Sequence, residues 1–218
     1  MRRVLLASAL VLLVGALVLL SVQPKNDGPP ARDFEYYILA LSWSPNWCAE
    51  TGDSIGAPEC SKHGLAFTLH GLWPEYDAGG YPSDCRTTAR DPSRADTAAM
   101  EDIMGSDGLA WHEWQAHGRC SGLSSDEYLA LMRKAYASIT VPPLFAKVSQ
   151  NLQVAPKVIQ DAFLESNPSL THGTVAVTCD RQMIKEVRIC LTKDLAPRPC
   201  AGEIKGCTMS AAELGAVR

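Results

Sequence analysis

"TVAVTCDRQMIKEVRICL", Thr174 to Leu191, decides the fold. Val175, Val177 and Cys179 recur at every second position, and Val187, Ile189 and Leu191 do so in the second arm. A period of two is that of a strand whose side chains alternate between faces. The short turn at Arg181 and Gln182 makes the two arms an antiparallel pair. Upstream the pattern is helical. Pro156 suits the first turn of "PKVIQDAFLES" (156–166), and Ser124 with Glu127 forms a capping box before "EYLALMRKAYASI" (127–139). "ADTAAMEDIM" (95–104) and "GLAWHEWQAHG" (108–118) also read as helices, the latter ending at a glycine suited to a C-cap. Nearer the N-terminus "EYYILALSW" (35–43) and "GLAFTLHGLW" (64–73) are apolar and β-favouring, with Ser44, Pro45, Pro74 and Gly79 as turn formers behind them. Strands, then helices, then strands again is the order of an α+β domain, here a central antiparallel sheet with helices packed around it.

A chain of 218 residues that is 46% hydrophobic suits one such domain, from 34 to 218. Ahead of it, Arg2 and Arg3 precede an uncharged run from Val4 to Val22. That is the layout of a secretory signal, and its length also suits a retained membrane anchor, so residues 1–22 are expected to be one or the other. Residues 23–33, "QPKNDGPPARD", form a polar tether kept extended by Pro29 and Pro30. The protein is therefore expected to be exported, periplasmic or secreted, and tethered to the membrane if the leader is kept. All eight cysteines lie beyond residue 47, and an even set in an exported chain reads as a disulfide framework. Zinc is the competing reading. No C-x-x-C pair occurs, and the cysteine spacings match no usual finger.

The formal net charge is −4, and it becomes −6 without residues 1–22, which hold two arginines and no acid. Such a chain does not coat duplex nucleic acid, whose binding draws on many Lys and Arg contacts to phosphate. A phosphate-bearing substrate would have to be held locally.

Two segments offer the means: "LHGLWPEY" (69–76) and "WHEWQAHGRC" (111–120). The second invites comparison with the zinc-protease pattern H-E-x-x-H, but His112 and His117 are five residues apart. At about 100° per residue they lie about 140° apart around a helix and cannot grip one metal. No metal or other cofactor is expected. Glu113 and His117, at i and i+4, do share a face, with His112 at its edge. His70 precedes Gly71, where the backbone can bend and be closely approached. A bridge between Cys85 and Cys120 would draw the two segments together. If His70 and His117 then face one another, one imidazole can be protonated and the other neutral, which is what concerted acid-base catalysis requires. RNA supplies an internal nucleophile in its 2′-hydroxyl; DNA does not and should be inert. His63 and His172 have no such company and are expected to be ordinary surface or core residues.

"FTLHGLWP" (67–74) and "WHEWQAHGRC" resemble the two active-site segments of the ribonuclease T2 family, acid endoribonucleases that include the plant S-ribonucleases. "LSWSPNWC" (41–48) and "EVRICLTKDL" (186–195) resemble its first and C-terminal strands, so the likeness spans roughly residues 35 to 207. It implies a metal-independent monomer that cleaves single-stranded RNA through a 2′,3′-cyclic phosphate. His70 would be the general acid and His117 the general base; Glu113 would support the transition state and His112 would hold phosphate. Trp73 would stack on a base, with Tyr81 as a second wall and Glu75 accepting from the base edge. Stacking tolerates every base, so specificity should be broad. The implied bridges are Cys48–Cys60, Cys85–Cys120, Cys179–Cys207 and Cys190–Cys200. Trp43, Trp47, Trp111 and Trp114 are expected in the core. One departure matters: the family usually has lysine immediately before the second histidine, and this chain has Ala116. Arg119 is the expected partial substitute at the phosphate. The competing reading is a catalytically weakened relative that binds RNA or a partner.

Overall fold

The computed structural model describes residues 33–201, 204 and 206–218. The expected leader and most of the tether lie outside these residues. Among those described, no helix is long and apolar enough to cross a membrane.

The hairpin forms as expected, from β4 (Val175–Asp180) and β5 (Met183–Leu191), and both turn residues, Arg181 and Gln182, take positive φ. Strand β1 (Tyr36–Trp43) pairs antiparallel with β5 on one side and with β2 (Phe67–Glu75) on the other. Two short strands, β3 (Leu152–Val154) and β6 (Ala212–Leu214), complete six. The central strands pair antiparallel as expected, and the sheet as a whole is mixed only because β6 meets β5 in parallel at Met183. That pairing is contributed by the last residues of the chain, which carry no alternating pattern long enough to announce a strand.

Three more differences have local causes. Pro74 does not end β2 but pairs with Tyr37 within it; β2 is an edge strand, where a missing N–H leaves no ladder bond unmade. The segment expected as one helix over 95–104 is two, α1 (Arg94–Ala98), opened by a Ser93 capping box, and α2 (Glu101–Met104). Helix α3 (Asp107–Ala116) stops at His117, and Gly118 opens a 3-10 turn instead of a left-handed cap. Glycine is needed there for space, since a Cβ would collide with the rings of Trp114 and Tyr128. Helices α4 (Ser125–Ala137), with its Ser124–Glu127 capping box, and α5 (Pro156–Ser166) are as expected.

β1 is buried on both faces. Tyr37, Leu39, Leu41 and Trp43 enter the main core beneath the helices, where Trp114, Tyr128, Met132 and Phe163 also lie. Tyr36, Ile38 and Ala40 point the other way and pack with Cys190, Trp73, Cys200 and Ala201. The second face is a thin apolar floor, and the candidate site is built upon it. All four implied bridges are present, and no described cysteine is free.

Candidate functional site

His70 owes its direction to an irregularity. Ala40 pairs with Gly71 and Leu41 with Leu69, so His70 is the unmatched residue of a β-bulge. A bulge turns one side chain out of strict alternation. Leu69 and Leu72 thus both remain in the core while His70, Gly71 and Trp73 serve the opposite face. Gly71 makes room: a Cβ there would overlap Glu113 Oε2 and Trp73 Nε1.

Helix α3 delivers Glu113 into this gap. Its carboxylate is 1% exposed, accepts a 2.8 Å hydrogen bond from Trp73 Nε1 and lies 3.6 Å from His70 Nε2. At the end of the helix the His117 ring is 5.4 Å from Trp73, whose other histidine neighbour is His70 at 5.1 Å. The two sequence segments therefore meet around one tryptophan. The Cys85–Cys120 bridge and an Asp84 N–H donated to the Ala116 carbonyl hold the intervening loop against the helix end, and Tyr81 comes within 5.8 Å of the His117 ring.

A cleft of about 360 Å³ opens here, lined by Trp73, Glu75, Tyr81, His117, Arg188 and the Ala201 segment. The Cys190–Cys200 bridge and a hydrogen bond from Tyr36 Oη to the Ala201 carbonyl fix that last wall. A second hollow of about 280 Å³ lies on the side of His70 and Glu186, so the site continues across the bulge.

Sequence reasoning missed two residues of the site. Glu186, 1% exposed, accepts a 2.6 Å hydrogen bond from His70 Nδ1 through Oε1. Its Oε2 accepts from both Nε and Nη2 of Arg188, whose guanidinium lies 5.0 Å over the Trp73 ring. The signal was present in the opening stretch: Glu186 and Arg188 fall on one face of a central strand, alternating with the buried Val187 and Ile189. Charges on an inward face of a middle strand require partners, and here they partner each other and a histidine.

The other expected site residues are less enclosed. His112 is exposed on α3, close enough to His117 to disfavour its protonation. Tyr81 is 58% exposed at the rim. Arg119 is not among the residues lining the cleft; its Nη2 donates to Asp91 Oδ1 at 2.8 Å, beside the Trp114 indole. Trp43 and Trp114 are core residues as expected, Trp47 is half-buried, and Trp111 is exposed because it lies on the solvent side of α3. His63 and His172 are exposed and outside the cleft.

These surroundings pull the two imidazoles in opposite directions. Burial, together with the charges of His70 and His112, lowers His117 to about 4. Burial also opposes charge on His70, but the Glu186 hydrogen bond and the field of Glu113 outweigh it and raise its pKa. Burial likewise acts to raise Glu186, yet His70 and Arg188 bring it down to about 2, while burial lifts Glu113 and Glu75 to about 7. From about pH 5 to 6, then, His117 is mainly neutral, Glu113 and Glu75 are mainly protonated, and the Glu186 carboxylate is what keeps His70 charged. Charged His70 and Arg188 face a single carboxylate, so the site attracts an anion despite the acidic chain. Among the described residues the one close cluster of three candidate metal ligands is Cys48, Asp53 and Cys60, and its two cysteines are already bridged.

A model described as the ribonuclease T2 family matches residues 34–200. The chain is 43% identical over 108 residues to a ribonuclease of Aeromonas hydrophila, which covers 50% of this chain and 46% of that protein. It is 27% identical over 230 residues to ribonuclease DdI of Dictyostelium discoideum, covering 93% of this chain and 97% of that one. The stretches matched in the Aeromonas protein and in ribonuclease 3 of Arabidopsis thaliana are about half the length of those relatives. Among solved structures, an RNase-related protein from Calystegia sepium superposes with a TM-score of 0.65 at 22% identity, over 84% of this chain and 98% of that one. RNase NT, in complex with 5′-AMP, does so at 0.63 and 22%, over 83% and 98%.

Proposed function

The chain belongs to the ribonuclease T2 family, and on that premise we propose that it is an exported, metal-independent endoribonuclease acting on single-stranded RNA with little base preference. The observation that carries this reading is the pair of imidazoles flanking Trp73, one favoured as the cation and the other as the neutral base. Neutral His117 takes the proton of the 2′-hydroxyl, whose oxygen attacks phosphorus. The bond from phosphorus to the 5′-oxygen breaks, and protonated His70 delivers its proton to that oxygen. The product is a 2′,3′-cyclic phosphate, which water opens to a 3′-phosphate with the roles of the histidines reversed.

Glu113, protonated below about 7 and held by Trp73, donates to a phosphoryl oxygen as charge develops there. His112, at the exposed edge, holds an adjoining phosphate. A base stacks in the cleft on Trp73 and Tyr81, and below about pH 7 the Glu75 carboxyl offers the base edge one donor and one acceptor. Four disulfides support an oxidising compartment.

The test is cleavage of single-stranded RNA at pH 5 in excess EDTA by the wild type, His70→Ala and His117→Ala. Full wild-type activity, with a loss of at least about a hundredfold in each variant, is the expected result, since each removes an acid-base group worth about 10² to 10⁴. A folded wild type that binds RNA without cutting it would support the weakened relative instead. Inhibition by EDTA would exclude the histidine-pair mechanism.

A further inference from the structure

We infer that Arg188 is the cation that stabilises the charge developing on the phosphoryl oxygens, and that Glu186 is a positioning residue holding Arg188 and His70 in register through its two carboxylate oxygens. The inference rests on the ribonuclease reading.

Transfer of the 2′-oxygen to phosphorus gathers negative charge on two non-bridging oxygens, and a fixed cation at that place lowers the barrier. Of the basic residues described near the site, Lys185 and Arg181 line the hollow on the far side of His70, where Arg181 pairs with Glu50. Among those lining the cleft between Trp73, Tyr81 and His117, Arg188 is the only arginine or lysine. Arg119 is occupied by Asp91. Ala116, next to His117, carries no charge.

Arg188 is also held as such a group should be. Nε and Nη2 are engaged by one oxygen of Glu186, at 2.9 and 2.7 Å, and the guanidinium lies over Trp73. Its side chain remains 28% exposed, and Nη1 has no partner among the described residues. The guanidinium is thus fixed on one edge and open on the other. In the sheet Arg188 pairs with Ala40, and Ala40 with Gly71, so small residues separate it from the bulge that carries His70.

Glu186 Oε1 meanwhile accepts the hydrogen bond from His70 Nδ1–H. This leaves Nε2 as the nitrogen that hands a proton to the leaving oxygen, and the buried carboxylate favours the charged imidazole. One carboxylate therefore aligns the acid with the charge-stabilising group, and the two functions can be separated by the leaving group of the substrate.

The experiment compares wild type, Arg188→Ala, Arg188→Gln and Glu186→Gln on a dinucleoside monophosphate and on uridine 3′-(4-nitrophenyl phosphate), whose nitrophenolate departs without needing a proton. Both arginine variants should lose about a hundredfold in kcat on both substrates while KM stays within about threefold, the pattern of an interaction made in the transition state. Millimolar guanidinium should restore part of the Arg188→Ala loss. Glu186→Gln keeps an amide oxygen that can accept from Arg188 but loses the negative charge beside His70, so it should lose kcat mainly on the dinucleotide and shift the alkaline limb of its pH profile to lower pH, because His70 gives up its proton more easily. A purely structural role would depress kcat on both substrates and leave that limb in place, overturning the part assigned to Glu186. An unchanged kcat in the two arginine variants, or a loss confined to KM, would overturn the part assigned to Arg188. A wild type inactive on both substrates would overturn the ribonuclease reading together with this inference.

Discussion

At the scale of single residues, the two histidines differ because their neighbours differ. His70 has a buried carboxylate on Nδ1, whereas His117 Nδ1 is buried without a hydrogen-bond partner among the described residues. If the first works as the acid and the second as the base, activity requires His70 protonated and His117 neutral. The rate should therefore rise with pH through about 4, as His117 loses its proton, and fall above 6.5, as His70 loses its own. A kcat profile on a dinucleotide between pH 3 and 9 checks both limbs; an acidic limb at 6 would contradict the environment of His117. Gly71→Ala tests the other tight spot. The added methyl would displace Glu113 and the Trp73 indole, at a cost of roughly 1–3 kcal/mol in stability and most of the activity, read by thermal unfolding and turnover. His70, Trp73, Glu113 and His117 were legible in sequence because each sits in a short segment dense with chemically capable side chains. Glu186 and Arg188 were not, because their partners come from β2, more than a hundred residues away along the chain.

At the scale of elements, the strands and the long helices followed from their periods, and the departures arose where tertiary contacts outweighed local preference. Pro74 looks like a stop, but on an edge strand it costs nothing. Gly118 looks like a cap, but the Trp114 and Tyr128 rings need the space of its missing side chain. The bulge at His70 leaves no mark in a single sequence beyond the adjacent glycine. The Cys85–Cys120 bridge spans 35 residues and binds the Tyr81 loop to the end of α3. Replacing both cysteines with serine should cost about 2–4 kcal/mol. It should also raise KM for RNA more than it lowers kcat, since the loop lines the cleft proposed to hold a base and carries neither of the histidines proposed as acid and base. Denaturant unfolding and steady-state kinetics on the same preparation would show this; an unchanged KM would mean that Tyr81 is no part of the binding surface.

At the scale of the whole molecule, the site leaves a signature in stability. Glu75 and Glu113 are raised to about 7, and His70 is raised as well. Groups raised by folding contribute stability that is complete below their unfolded pKa and disappears as pH rises through the folded value. Stability should therefore fall from about pH 4.5 through 7 as the two glutamates ionise, with His70 adding to the fall above 6.5. His117, lowered to about 4, acts in the opposite sense between 6.5 and 4, and Glu186, lowered to about 2, adds stability that is lost as pH drops below 4.5. The three raised groups outnumber the opposing histidine in the upper range, so Tm should be higher at pH 5 than at pH 8, and Glu75→Gln should flatten that slope. A Tm that rises from pH 5 to 8 would contradict the burial of both glutamates.

The most direct measurement of the central claim is mass analysis of the products formed from a single-stranded RNA in excess EDTA, beside an all-DNA copy of the same sequence. Fragments ending in 2′,3′-cyclic phosphate, from the RNA alone, are the predicted result: they require attack by the 2′-hydroxyl, assisted by an acid and a base and no metal. Cleavage of the DNA copy, or RNA fragments ending in 5′-phosphate, would mean that water and not the 2′-oxygen attacks, and would contradict the assignment of His70 and His117.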